Sequence, residues 1–209
     1  MFASISTLAL DLLFPPSCRI CGQEDAWLCA PCLAPLKPRR TPQPVARVDQ
    51  LLTLGSYDIP VLKRIIQELK YNGGQVLAEP IGQTLATAFG RELTDNAVVP
   101  VPLHPKRQRN RGFNQSTLIA RSLAKRLNLM FIEAVDRIRH TQPQVELAED
   151  ERLTNVRAAF RLKPGLGQLP KNGIIVDDVF TTGATSSEVA AVLRSAGMKH
   201  ITVLTIAKG

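Results

Sequence analysis

The chain has 209 residues, of which 44% are hydrophobic and 21% are charged. This composition excludes a disordered protein and allows one mid-sized α/β domain plus a small appendage. The formal net charge is +8, and the whole excess lies in residues 101–209, which hold 17 Lys and Arg against 9 Asp and Glu. A basic half favours a polyanionic partner, either a phosphorylated small molecule or a nucleic acid, although a merely solvated basic surface fits equally well.

The first 16 residues, MFASISTLALDLLFPP, are apolar but do not resemble an export signal. No basic segment precedes the apolar stretch, and Asp11 interrupts it. Phe2, Ile5, Leu8 and Leu12 follow helical spacing, which predicts a short helix packed on the body of the protein. This helix is too short to cross a bilayer, and no other segment is long and apolar enough. We therefore expect a cytoplasmic protein without a membrane span.

All four cysteines lie within 15 residues, in two C-x2-C pairs separated by seven residues: Cys18, Cys21, Cys29 and Cys32. Two such pairs can bring four thiolates to one tetrahedral metal ion, and the pattern predicts Zn²⁺. The site is structural, because four protein ligands leave no open position for chemistry. Iron at the same sulfurs is the alternative, whereas two disulfides fit a cytosolic chain poorly.

A proline-rich segment follows the cysteines, with prolines at positions 35, 38, 42 and 44. Spaced prolines predict a semi-rigid linker. The chain is therefore divided into two units. Residues 1–48 hold the N-terminal helix, the four-cysteine module and the linker, and residues 49–209 form the main domain.

Strands and helices alternate along the main domain. Predicted strands cover residues 51–58, 97–103, 129–138, 172–179 and 199–207. Predicted helices cover residues 59–71, 76–93, 115–128 and 185–197, while residues 139–172 are irregular apart from a short helix around 149–160. This alternation predicts an α/β fold with a mostly parallel sheet and helices on both faces.

The segment IIVDDVFTTGAT, residues 174–185, places two carboxylates, Asp177 and Asp178, at the carboxyl end of a buried strand. Ligands of open α/β sheets bind at such ends. Thr185 and Glu188 match a capping box, so a helix should begin here. The backbone N–H groups of the preceding turn would then face one point and bind a phosphate. The turn consists of Thr181, Thr182, Gly183, Ala184 and Thr185.

Two carboxylates beside a phosphate cradle suit a ribose 5-phosphate. The carboxylates can accept hydrogen bonds from the sugar hydroxyls and can help to hold Mg²⁺ on a diphosphate. A strand-to-helix turn without a ligand is the alternative, but it leaves the paired aspartates unexplained.

The same segment resembles the 5-phosphoribosyl-1-diphosphate (PRPP) motif of type I phosphoribosyltransferases. Three motifs in order, VVPVPLHPKRQRNRGFNQS, RHTQPQVELAEDERLTNVRAAF and IIVDDVFTTGAT, are similar to the ComF family of competence proteins and their GntX-like relatives. The cysteine pairs, Tyr57 and LKYNGG agree with this resemblance. It implies a type I phosphoribosyltransferase-like fold, PRPP bound with Mg²⁺ at Asp177, Asp178 and the turn, and a role in natural transformation or in the use of DNA.

The resemblance also assigns a diphosphate-binding loop to the basic run after residue 103. Four cations fall within six residues, namely Lys106, Arg107, Arg109 and Arg111. Guanidinium groups bind phosphate oxygens well, although a basic run can also be a solvated loop. Residues 139–144 resemble a mobile hood that closes over PRPP. No catalytic role is assigned to His104, His140 or His200.

Two classes of function remain open at this point. The resemblance implies an enzyme that expels diphosphate from PRPP through a ribosyl cation, but no residue identifies the acceptor. The alternative is a non-catalytic PRPP sensor or a protein that binds single-stranded DNA and a partner of the competence machinery. Aromatic residues are only 5% of the chain, which disfavours a stacking platform for bases. A PRPP-responsive transcription factor lacks a recognisable helix-turn-helix segment.

Overall fold

The computed structural model describes residues 15–71, 73–94, 97–139 and 158–209. The predicted N-terminal helix, His140, the hood beyond Arg139 and most of the helix predicted around 149–160 lie outside the described residues.

The described residues form strands and helices in the following order. The strands are β1 (Arg39–Val45), β2 (Val48–Thr53), β3 (Ala97–Pro100), β4 (Met130–Phe131), β5 (Val135–Arg137), β6 (Phe160–Leu162), β7 (Asn172–Phe180) and β8 (His200–Lys208). The α-helices are α1 (Ala30–Leu33), α2 (Pro60–Lys70), α3 (Ala78–Phe89), α4 (Pro105–Arg111), α5 (Gln115–Leu127) and α6 (Ala184–Ser195), with 3-10 turns at Gly74–Leu77 and Gly90–Glu92.

Six strands form the central sheet in the order β1-β2-β8-β7-β3-β4. The β1–β2 pair is antiparallel, and the other four neighbouring pairs are parallel. Strands β5 and β6 form a separate antiparallel pair. The prediction of a mostly parallel α/β sheet is therefore confirmed.

Side chains of β7 alternate between two hydrophobic cores, as the pleat of a strand requires. Ile174 and Val176 belong to the core that contains Leu85 of α3 and Ile119 of α5. Ile175 belongs to the opposite core, which includes Val189 and Leu193 of α6. Helices therefore cover both faces, and β7 is apolar on both sides because both sides are buried.

The four-cysteine module packs against the same core as α2. Cys18, Ile20, Leu28 and Cys29 are buried in it. A salt bridge between Arg19 Nη2 and Glu68 Oε2 of α2, 3.6 Å long, adds a polar contact. The module thus lies directly on the helix that ends at Lys70.

Three expectations about local structure are wrong. The predicted linker contains β1, which pairs with β2 despite Pro42 and Pro44, because a sheet edge tolerates residues without an N–H. The predicted strand over 129–138 is split, since β4 joins the central sheet and β5 pairs with β6. The basic loop is the helix α4, which begins with Pro105 after His104 Nδ1 accepts from the Lys106 N–H. The division of the chain at residue 48 stays a prediction.

No helix among the described residues combines the length and the apolar character that crossing a membrane requires.

Candidate functional site

A cleft of about 730 Å³ opens at the carboxyl ends of the parallel strands. Asp177 and Asp178 of β7 lie in it, together with most of the turn that leads into α6. Charged and polar residues reach it from three helices, and aromatic residues also line it. The polar group includes Lys70, Arg107, Arg111, Gln115 and Ser116, and the aromatic group is Tyr57, Tyr71, Phe113 and Phe180.

The two carboxylates are held by bonds from the backbone and from α5. Asp177 Oδ1 accepts from Ser116 Oγ at 3.2 Å and from the Asp178 N–H at 2.9 Å. Asp178 Oδ1 accepts from the Val179 N–H at 2.8 Å, while its Oδ2 accepts from Gln115 Nε2 at 3.3 Å. Lys70 Nζ lies 2.8 Å from the same Oδ2. The pair is therefore fixed in orientation before any ligand binds.

Burial, and secondly the neighbouring Asp178 carboxylate, raise the pKa of Asp177 to about 7. Hydrogen bonds and Lys70 oppose the shift without cancelling it. Carboxylates with strongly raised pKa values concentrate at functional sites, because holding like charges together is useful only where a ligand compensates them.

This raised pKa predicts how the stability of the protein without Mg²⁺ depends on pH. Asp177 binds its proton more tightly in the folded protein than in the unfolded chain, where its pKa is about 4. Stability therefore falls as the pH rises from about 4 to about 7 and then levels off. An Asp177→Asn variant escapes this loss, so its melting temperature should rise relative to that of the native protein between pH 4.5 and 8. A difference that is the same at both pH values would contradict the assignment.

The turn between β7 and α6 depends on a glycine. Gly183 has φ of 75° and is the N-cap of α6. A Cβ atom at this position would lie 2.5 Å from Val45 Cγ1 and 2.6 Å from the Phe180 ring. The predicted capping box is wrong, because Thr185 lies inside the helix and Glu188 Oε2 accepts from the Ala158 N–H. Thr181, Gly183, Ala184 and Thr185 line the cleft, whereas Thr182 does not and its hydroxyl accepts from the Ala184 N–H.

The basic run divides between two sides of α4. Arg107 and Arg111 line the cleft, but Lys106 and Arg109 are exposed outside it. Gly112 ends α4 with φ of 82°. Asn114 then starts α5, accepting from the Ser116 N–H and donating to the Val101 carbonyl at 2.9 Å. Only half of the predicted cations therefore face the carboxylates.

Sequence reasoning gave no role to Lys70, Arg137, Gln115 or Ser116. Gln115 and Ser116 begin the helix after the basic run, and their polarity on the buried side of that helix was the available signal. Arg137 is also buried in the cleft wall, where burial and then the nearby Arg107 lower its pKa to about 10. Lys70 carried no such signal, since its position depends on how α2 packs.

The four cysteines lie together, as their spacing predicts. Their sulfurs are all within 4.8 Å of one another, with 3.8 Å from Cys18 to Cys32 and 3.5 Å from Cys21 to Cys29. Four sulfurs bound tetrahedrally to Zn²⁺ are about 3.8 Å apart. Burial would raise the pKa of Cys18, but the N–H groups of Cys29, Cys21 and Ile20 outweigh it and lower the pKa to about 6. Burial, together with the other three thiols, raises the pKa of Cys32, so the fit to a metal ion depends on the distances between the sulfurs. The donor set therefore fits a metal ion.

Similar proteins were found among curated sequences, although no protein-family model matches the chain. The DNA utilization protein YhgH of Escherichia coli K12 is 33% identical, over 89% of this chain and 87% of its own length. Competence protein F of Haemophilus influenzae is 29% identical, over 92% of this chain and 85% of its own length. Competence protein ComFC of Streptococcus pneumoniae is 26% identical over 70% of this chain and 63% of its own length.

Solved structures with some similarity include two enzymes. Glutamine PRPP amidotransferase from B. subtilis has a TM-score of 0.43 at 19% identity, covering 63% of this chain and 26% of its own. Adenine phosphoribosyltransferase from Saccharomyces cerevisiae has a TM-score of 0.36 at 17% identity, covering 85% of this chain and 90% of its own.

The identity to YhgH extends over nearly the whole of both chains, and the competence proteins match the same chain. The resemblance predicted from the three motifs is thus confirmed: the chain belongs to the ComF family.

Proposed function

We propose that the cleft binds PRPP together with Mg²⁺ and that the protein is a phosphoribosyltransferase-like member of its family. The observation that carries this proposal is the convergence of two carboxylates, a helix N-terminus and two arginines on one cleft. Each of these groups suits a different part of PRPP, and they come from separate segments of the chain.

The turn at residues 181–185 would hold the 5-phosphate, because N–H groups at a helix N-terminus attract an anion. Asp177 and Asp178 would accept hydrogen bonds from the ribose hydroxyls. Arg107 and Arg111 would bind the diphosphate as charge-assisted donors. Lys106 and Arg109 do not line the cleft, and the diphosphate role is therefore proposed for Arg107 and Arg111 alone.

The carboxylates also fit a magnesium ion, since carboxylate oxygens are the hard ligands that Mg²⁺ prefers. The ammonium group of Lys70, 2.8 Å from Asp178 Oδ2, already compensates carboxylate charge at this place. When bound, Mg²⁺ would neutralise charge on the departing diphosphate. The chain itself contributes the orientation of the ribose and the positive charge around the leaving group.

The proposal is tested by titrating PRPP into the protein in a calorimeter, with and without Mg²⁺. We expect saturable binding only with Mg²⁺, and no heat in either titration would contradict the proposal. Turnover assays with PRPP and a panel of bases then separate a transferase from a sensor, because only a transferase releases diphosphate.

The names of the relatives support a link to DNA, and we propose that the protein acts in the uptake or utilization of DNA. Lys106 and Arg109 are exposed cations on α4 beside the cleft. A single strand of DNA lying across α4 would contact Lys106 and Arg109 together with Arg107 and Arg111. We further propose that the protein binds partner proteins of the competence machinery while it acts on DNA.

Such contacts predict weak binding of single-stranded DNA that falls steeply between low and physiological salt. Neutralising Arg107, Arg109 and Arg111 together should flatten the salt slope by up to about 2 units, at roughly 0.7 per phosphate contact. PRPP with Mg²⁺ should compete with the DNA for Arg107 and Arg111. DNA binding that ignores saturating PRPP would instead place the DNA site elsewhere, on the four-cysteine module and the KPRR segment at residues 37–40.

We also propose that the four cysteines hold Zn²⁺ as a structural ion, with iron as the alternative that elemental analysis separates. Cysteines can bind a metal ion only while they are not oxidised to disulfides, which favours a reducing compartment. We therefore propose that the protein is cytoplasmic.

A further inference from the structure

Lys70 and Asp178 form an ion pair within the cleft. Lys70 Nζ lies 2.8 Å from Asp178 Oδ2, and Asp178 is only 7% exposed. Gln115 Nε2 donates to the same oxygen. Oδ2 of Asp178 is thus contacted by two donors of the chain itself.

Electrostatics explains why a lysine lies here. Asp177 and Asp178 place two acidic groups next to each other at a buried position, and a like-charged pair is costly unless a cation compensates it. A lysine is ordinarily charged at neutral pH. The short distance from Lys70 Nζ to Asp178 Oδ2 directs this charge at the aspartates.

Resting on the proposed function, we infer that the Lys70 ammonium group is a built-in substitute for a divalent cation, which neutralises Asp178 in the free protein and must leave that carboxylate before a metal–PRPP complex can bind there. A metal ion and an ammonium group cannot share Asp178 Oδ2 at bonding distance, because the two cations would repel each other strongly. Lys70 can leave, since it is the last residue of α2 and carries a flexible four-carbon side chain.

This arrangement has a consequence for the order of binding. A bare divalent ion gains too little binding free energy at Asp178 to displace Lys70. It would only exchange one cation beside the carboxylate for another, and it would lose part of its hydration shell. A metal ion that arrives on a diphosphate brings further contacts to Arg107 and Arg111. Lys70 is thus a positioning residue that reserves the carboxylates for the metal complex of the substrate.

The test is the affinity of the free protein for Mn²⁺ without PRPP, measured by electron paramagnetic resonance of the unbound ion. Lys70→Gln should bind Mn²⁺ about tenfold or more tightly than the native protein, because the carboxylates lose their resident cation. Lys63→Gln is the matched control, since Lys63 is exposed on the same helix and the change in net charge is identical. The control should bind Mn²⁺ as the native protein does.

A double variant, Lys70→Gln with Asp178→Asn, should lose the gain in Mn²⁺ affinity, which places the new binding at Asp178. Lys70→Met serves as the second variant if Lys70→Gln does not fold, as judged by its melting curve. Unchanged Mn²⁺ affinity in a folded Lys70 variant overturns the inference. A gain that persists in the double variant also overturns it.

The outcomes also separate this inference from the proposed function. PRPP binding by the native protein together with unchanged Mn²⁺ affinity in the Lys70 variants overturns only the role of Lys70. Tighter Mn²⁺ binding by the Lys70 variants together with no PRPP binding supports the role of Lys70 and overturns the PRPP assignment.

Discussion

A Cys29→Ser variant should lose its bound metal and most of its soluble yield together. Cys29 is buried at 4% exposure within the core that also holds α2, so the loss of the ion exposes apolar surface. Structural four-ligand sites contribute roughly 10–16 kcal/mol in zinc-finger peptides, more than the total stability of most domains. We expect about one Zn²⁺ per native chain by elemental analysis and a much smaller amount in the variant.

Gln23→Ala is a suitable control, because Gln23 is exposed between the same cysteines and only its backbone carbonyl bonds to Cys18. It should retain both metal and solubility. Native protein that contains no metal, and whose four thiols all titrate freely, would end the metal assignment.

Asp177→Asn and Asp178→Asn should each weaken PRPP binding by about 1–3 kcal/mol, because each removes charge-assisted hydrogen bonds to the ribose. The double variant should show no measurable binding in the same calorimetric titration. Both asparagines keep an oxygen that can accept from Ser116 Oγ and from the backbone, so the fold should survive.

Asp136→Asn provides the matched control, since Asp136 pairs with Arg161 and Lys163 outside this cleft. It should bind PRPP like the native protein. If the two variants at positions 177 and 178 also bind PRPP with native affinity, the carboxylates do not hold the ribose.

The sequence predicted best those features that depend on short-range pattern. The apolar run before Asp177 and the helical spacing after Thr185 located β7 and α6, because each signal is local and strong. The cysteine spacing located the cluster for the same reason. The position of Asp177 and Asp178 within the site followed from the general rule for open α/β sheets.

Features that depend on tertiary packing were missed. Strand β1 was predicted as linker because its prolines oppose a strand locally, yet pairing with β2 outweighs that preference. Gly183 is the N-cap of α6 in place of the predicted capping box. The turn packs so closely against Val45 and Phe180 that a side chain at position 183 would clash with them. Lys70 contacts Asp178 because α2 packs on the sheet. The sequence around Lys70 contains no pattern that predicts this contact.

The two edge strands of the central sheet have a consequence for self-assembly. Strand β1 has Pro42 and Pro44 among its seven residues, and β4 consists of two residues. Prolines and very short edge strands both hinder the addition of a further strand from another molecule. Among the residues that the structure describes, the edges of the central sheet therefore disfavour self-association by strand addition, and an oligomer formed through these residues should use other surfaces.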